Sequence, residues 1–177
     1  VMAAVYAWFW RVSAHRIDEA PSFAGFAGIF VTGCGDFEHF YDAARAMRDG
    51  MDIYSSGARG YIYPPLVAFL YMPLTHLAVR SAARLMLAVN MMLALWCTWV
   101  ATAEAARRLW PAPSRRALAL ALALTVLLVA PRLRSELQMW QTNILMMCGL
   151  LLALKTLDSR PWLAGLALGF AINIKYL

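Results

Sequence analysis

Residues 85–103 run for nineteen positions without one Asp, Glu, Lys, Arg or His. No other feature constrains the fold as strongly. In lipid every backbone N–H and C=O needs a partner within the segment, and a helix of about 20 residues supplies them all. Three more apolar runs follow, at residues 117–131, 142–157 and 162–177. The first of these, an Ala/Leu ladder of 15 residues, rises only about 22 Å as a helix, so flanking residues or local thinning must make up the bilayer core. Residues 1–10 read as the tail of an earlier span, and residues 23–34 are apolar but too short and Gly-rich to place. Hydrophobic residues make up 62% and charged residues 15% of the 177, which leaves too little polar surface for a soluble domain. The expected fold is all-α: a polytopic transmembrane bundle forming one domain over residues 1–177. The missing start Met and the end inside an apolar run lead us to expect a piece of a longer protein with further C-terminal helices.

Cys34, Cys97 and Cys148 are spaced neither as a zinc site nor as a disulfide framework. The net charge of +6 is spread over short linkers, a pattern that sets membrane orientation rather than binding nucleic acid. The linker from Glu104 to Arg116 carries four arginines against one Glu, which favours the cytoplasmic side. Residues 61–79 have the length of a span but are interrupted by Pro64, Pro65 and Pro73. We expect this stretch to lie along or dip into the outer face, although Pro is tolerated in spans and a full crossing is the alternative. The first choice gathers Asp36, Tyr63, Gln141, Asn143 and Lys175 at one outer face; the second splits them.

Asp36 opens a helical pattern. Phe37, Phe40, Tyr41, Ala44 and Met47 recur on one face, Glu38, Asp42, Arg45 and Asp49 take the other, and Gly50 stands where the helix should stop. The expectation is an amphipathic interfacial helix in the first external loop, with its aromatic stripe toward lipid or protein. Each polar residue here has two readings. Asp36 is a helix N-cap or a functional carboxylate. Glu38 is a second acid or a first-turn partner of the helix dipole. His39 is a partner of Asp36 or incidental. Tyr63-Pro64-Pro65 is a rigid, extended lead-in to a helix or part of a site. Gln141 and Asn143, beside Trp140, are interface anchors or site amides. Arg132 and Arg134 meet lipid phosphates in general or one specific phosphate. Lys175, a lone cation late in an apolar run, snorkels to the surface or faces the interior with a role.

The series Gly35-Asp36-Phe37, Tyr41-Asp42-Ala43-Ala44-Arg45-Ala46, Gly50, Ile53-Tyr54 and Tyr63-Pro64-Pro65-Leu66 resembles glycosyltransferase family 87. The second half agrees, with Gln141-Thr142-Asn143, a Leu-rich helix, Arg160-Pro161-Trp162-Leu163-Ala164-Gly165 and Lys175. The resemblance implies a polytopic enzyme of the GT-C class, in a bacterial inner membrane with its active site on the external face. It implies transfer of a hexosyl unit, mannosyl first among the candidates, from a polyprenyl-phosphate sugar to a glycan or glycolipid acceptor, with inversion. Asp36 corresponds to the family's general base. Glu38 stands where related mannosyltransferases have the second acid of an Asp-x-Asp-like pair. Glu38, His39, Tyr63, Arg132, Arg134, Gln141, Asn143 and Lys175 are the substrate-binding candidates. No cofactor is expected: the lipid-linked donor is itself a substrate, and without a nucleotide diphosphate it needs no metal to neutralise one.

Two other classes compete with this reading. A transporter or channel subunit predicts ionisable groups within the spans, and residues 85–103, 117–131 and 142–154 hold none. A non-catalytic membrane scaffold predicts that Asp36→Asn is tolerated.

Overall fold

The structure, a computed structural model, describes residues 7, 8, 10, 11, 14, 36–56, 60–110, 112–139 and 141–175. Most of residues 1–10, all of 23–34, Gly35 and Trp140 lie outside the described residues. From Phe37 on, six α-helices follow one another among the described residues: α1 (Phe37–Arg48), α2 (Pro65–Tyr71), α3 (Val79–Leu109), α4 (Arg115–Met139), α5 (Asn143–Thr156) and α6 (Pro161–Ile174). Short 3-10 turns at Ile53–Ser55 and Met72–His76 join the first three.

The amphipathic pattern folds as α1, and Gly50 at φ 70° ends it. The amide of Gly50 bonds the Met47 carbonyl and that of Met51 reaches Ala46, the paired bonds of a Schellman stop. The apolar face turns to protein rather than lipid. Phe37 and Phe40 are fully buried, and Tyr71 of α2 packs on both, with ring centroids 6.0 and 5.2 Å away. Tyr41 donates to the Leu77 carbonyl at 2.9 Å, and Arg48 holds both the carbonyl and the hydroxyl of Thr75. These bonds clamp α1 to the chain that leads into α3.

Residues 61–79 do not form one continuous helix. Pro64 is extended (φ −58°, ψ 150°), Pro65 starts α2, and α2 has only seven residues before Met72–His76 tightens into a 3-10 turn. At 1.5 Å per residue α2 is about 11 Å long. The Tyr61 hydroxyl sits between the first helical pair of α2, donating to the Pro64 carbonyl at 3.0 Å and accepting from the Ala68 amide at 3.1 Å. A side chain thereby fixes where this helix begins.

Of the four expected spans, two are long enough to cross a membrane, α3 with 31 residues and α4. Both outrun their apolar runs. α3 takes in Arg80 and Arg84 at its start and Arg107 and Arg108 at its end, cationic residues of the kind that suit the two ends of a span. α4 does not stop at Pro131 but continues to Met139, 25 residues in all. Proline removes one N–H from the ladder without ending an apolar helix whose other bonds persist. At about 37 Å the whole helix removes the shortfall expected of residues 117–131. Almost none of its apolar stretch is buried within the chain, and Leu120, Leu124, Leu127 and Leu128 face outward. Such a face suits lipid or further helices.

The other two runs form α5 and α6, 14 residues each and about 21 Å long. They make a hairpin, α5 packing on α6 and on α3, with α6 also touching α2. Gly149 permits the close approach: a Cβ there would stand 2.9 Å from the Ala167 carbonyl oxygen and 3.0 Å from the Ala171 Cβ. Small residues at such a contact let backbones meet. Gly149→Val should destabilise the protein by roughly 1–3 kcal/mol through overpacking. Gly165→Ala, whose Cβ meets nothing within 4 Å among the described residues, should not. Thermal unfolding in detergent of both variants checks this.

From α3 to α6 the helices run alternately toward and away from one end of the bundle. One buried cluster holds Phe37, Tyr61, Leu87, Leu137, Ile144 and Ile174, which brings the end of α4, the start of α5 and the end of α6 to α1 and the first part of α3. A second cluster, Cys97, Val100 and Leu151, lies further along α3. The Cys97 and Cys148 thiols, 51 positions apart, are free and meet at 3.2 Å between α3 and α5.

Candidate functional site

Three polar candidates in the end-of-bundle region adjoin a residue of the first buried cluster. Asp36 precedes Phe37, Asn143 precedes Ile144, and Lys175 follows Ile174. Burial of the apolar neighbour fixes the backbone and so positions the polar group beside it. Two assemblies result.

The first joins Asp36 to Tyr63. Asp36 stands at the N-cap position of α1, but its side chain makes no capping bond. Instead it accepts a hydrogen bond from the Tyr63 hydroxyl at 3.2 Å. Tyr63 is held edge-on to Phe40 with centroids 4.8 Å apart, and near Tyr61 at 5.9 Å. Burial, and then the Asp36 charge, push the Tyr63 hydroxyl up to about 12. Tyr63 therefore keeps its proton, and keeps donating, at any pH at which a cell works. Burial also raises Tyr71, with Tyr61 and Asp36 adding to the effect. A partly exposed carboxylate oriented by a rigid phenol has the geometry of a directed base.

The second assembly joins the ends of α4, α5 and α6. The Asn143 amide nitrogen donates to Gln141 Oε1 and to Glu136 Oε2, each at 2.7 Å, while its oxygen accepts from Lys175 Nζ at 3.0 Å. Arg132 pairs with Glu136 Oε1 at 2.6 Å and is otherwise exposed. Arg132, Glu136 and Asn143 also line one end of a cavity of about 550 Å³ between α3, α4 and α5, whose remaining walls include Ala94, Ile144 and Leu151. A polar mouth on an apolar groove is the form an amphiphile requires.

Three candidates join neither assembly. Arg134 lies over the Trp8 ring, 5.3 Å from its centroid. Glu38 and His39 remain on the half-buried side of α1. The Glu38 carboxyl is raised by burial and then by Asp42 one turn on, with His39 acting the other way; Asp42 is raised by burial as well. A raised acid favours the protonated fold, so this contribution is present at low pH and lost as pH rises through the folded-state pKa. Glu38→Gln should therefore stabilise the protein at pH 7, by about 0.2–0.5 kcal/mol for a partly solvated like-charge pair, with the gain vanishing near pH 4. Melting curves at the two pH values check it.

Glu136 is the site residue the sequence reading passed over. Its signal was present: a lone acid in Arg132-Leu133-Arg134-Ser135-Glu136, one turn from Arg132. Ending the helix at Pro131 hid it, because the spacing matters only if α4 continues. Among the described residues no three His, Cys, Asp or Glu side chains converge as a metal centre would need.

Two helices long and apolar enough to cross a membrane, with a polar cluster at one end of the bundle, point to a membrane protein. The chain belongs to glycosyltransferase family 87, whose family model matches residues 61–177. The match takes in Tyr63, Glu136, Gln141, Asn143 and Lys175 and begins after Asp36. No curated protein and no solved structure matched the chain. Membership makes the protein a glycosyltransferase, with a sugar donor and an acceptor, and accords with α3 and α4 as membrane spans.

Proposed function

We propose that the protein transfers a hexosyl unit, mannosyl first among the candidates, from a polyprenyl-phosphate sugar to a hydroxyl of a glycan or glycolipid. The reaction is a single inverting displacement. Asp36 takes the acceptor proton as the oxygen attacks the anomeric carbon. Lys175 and Arg132 stabilise the lipid phosphate as it departs, while Gln141 and Asn143 hold the cluster in place. The site faces the outside of a bacterial inner membrane, with the Arg-rich linker between α3 and α4 on the cytoplasmic side.

The observation that carries this reading is the polar mouth of the 550 Å³ groove, where Arg132, Glu136 and Asn143 meet an apolar interior. A water-soluble nucleotide sugar has no use for such a groove, whereas a prenyl chain with a phosphate head fits its division. Assignment of the base to Asp36 draws on its bond to Tyr63, a residue within the family match.

The test uses the purified full-length protein in lipid nanodiscs with radiolabelled polyprenyl-phosphate mannose and a membrane lipid extract as acceptor. Labelled product is the expected result. Transfer from a nucleotide sugar alone would overturn the donor class. Silence with a panel of lipid-linked sugars would favour transport, a role in which buried Glu136 and Glu104 are the groups to examine.

A further inference from the structure

Glu136 has no part in the mechanism above, yet it is the most constrained charge in the cluster. Its side chain is 10% exposed against 76% for its partner Arg132. Both carboxylate oxygens are engaged, one by Arg132 and one by Asn143. Its backbone carbonyl also accepts the Gln141 amide at 3.4 Å, so the turn joining α4 to α5 closes back on the same residue.

We infer that Glu136 is the positioning residue that sets the direction of the Asn143 amide and, through it, the place of the Lys175 ammonium. This rests on the reading of this end of the bundle as the donor-phosphate site. The argument is one of donors and acceptors. An amide can be turned end for end, exchanging its oxygen and nitrogen. Gln141 cannot decide which way Asn143 points, because its own amide turns as easily. An ionised carboxylate only accepts and an ammonium only donates. With Glu136 on one side and Lys175 on the other, Asn143 has one acceptable orientation, nitrogen to the carboxylate and oxygen to the ammonium. The opposite orientation sets oxygen against carboxylate and NH₂ against NH₃⁺. The three charges also suit the ligand. One carboxylate against Arg132 and Lys175 leaves a single positive charge, the complement of a phosphodiester. A simple Arg132–Glu136 ion pair would have no influence on α6, whereas this chain of bonds runs from α4 through α5 to α6.

Two measurements on the full-length protein test the inference. Lys155 and Lys175 are the two lysines of this chain, and Lys155 lies in the last turn of α5, at the far end of the hairpin. Brief acylation with an N-hydroxysuccinimide ester, read by peptide mass spectrometry, gives their relative reactivity without any donor. Glu136→Gln should raise Lys175 modification several-fold relative to Lys155, and Glu136→Asp, which restores an acceptor-only group, should bring it back toward wild type. The second measurement is a double-mutant cycle on sugar transfer. Glu136→Gln alone should lower kcat about 10–100-fold, the worth of one hydrogen bond to a charged group. Combined with Lys175→Met it should add little, because both act through the same ammonium. An unchanged Lys175 to Lys155 ratio, or losses that multiply, would overturn the inference. A ratio that responds in a protein transferring no lipid-linked sugar would retain the positioning role and reject the donor reading.

Discussion

Asp36→Asn is expected to lower sugar transfer by about 10²–10⁴-fold, the usual worth of a positioned general base, with little change in folding. The asparagine keeps the shape of the side chain and an oxygen to accept the Tyr63 hydroxyl, which in the native protein lies 3.2 Å away. No capping bond is lost, because Asp36 makes none to α1. What disappears is the negative charge and, with it, the capacity to take up a proton. Transfer kinetics beside a melting curve for the same preparation separate the outcomes. Full activity would remove Asp36 from the chemistry while leaving the family untouched. A collapse in stability would mean that the carboxylate holds α1 in place through Tyr63.

Lys175→Met is expected to cost about 10²–10³-fold in kcat, as for loss of one charge-stabilising group in an active site. Methionine keeps most of the apolar stem. The change therefore tests the ammonium that donates to Asn143 at 3.0 Å rather than the packing around Ile174. Lys175→Arg should recover part of the loss, since it restores charge but not length or shape. Lys155→Met, at the other end of the hairpin, is the control and should have no effect on transfer. Equal losses at the two positions would point to net charge in general and against a specific role for Lys175.

What could be read from the residues depended on how far apart the causes lie. α1 was legible because its periodicity, its aromatic stripe and Gly50 fall within fifteen consecutive positions, 36–50. The apolar runs gave the helices but not their lengths. Hydropathy marks the lipid-facing stretch, while α3 and α4 continue through arginines and a proline whose backbones remain helical. Residues 61–79 form a short helix and a 3-10 turn rather than one long helix, because Pro64, Pro65 and Pro73 limit what the backbone can do there. The Tyr63–Asp36 bond was out of reach. Each residue had a sufficient local explanation, as helix cap or as helix lead-in, and 27 positions separate them. Glu136 had a local signal in Arg132, one turn away, that ending the helix at Pro131 concealed, and its partner Asn143 belongs to another helix.

The α5–α6 hairpin resembles a two-tined fork, with Asn143 at one tip and Lys175 at the other. Gly149 lies six residues, about 9 Å, down the first tine, where a single hydrogen stands in place of a side chain against Ala167 and Ala171. The close approach of the two tines at Gly149 thus bears on how far apart the tips stand at the mouth of the site. Widening the fork by one methyl group should open the tips without altering either polar residue.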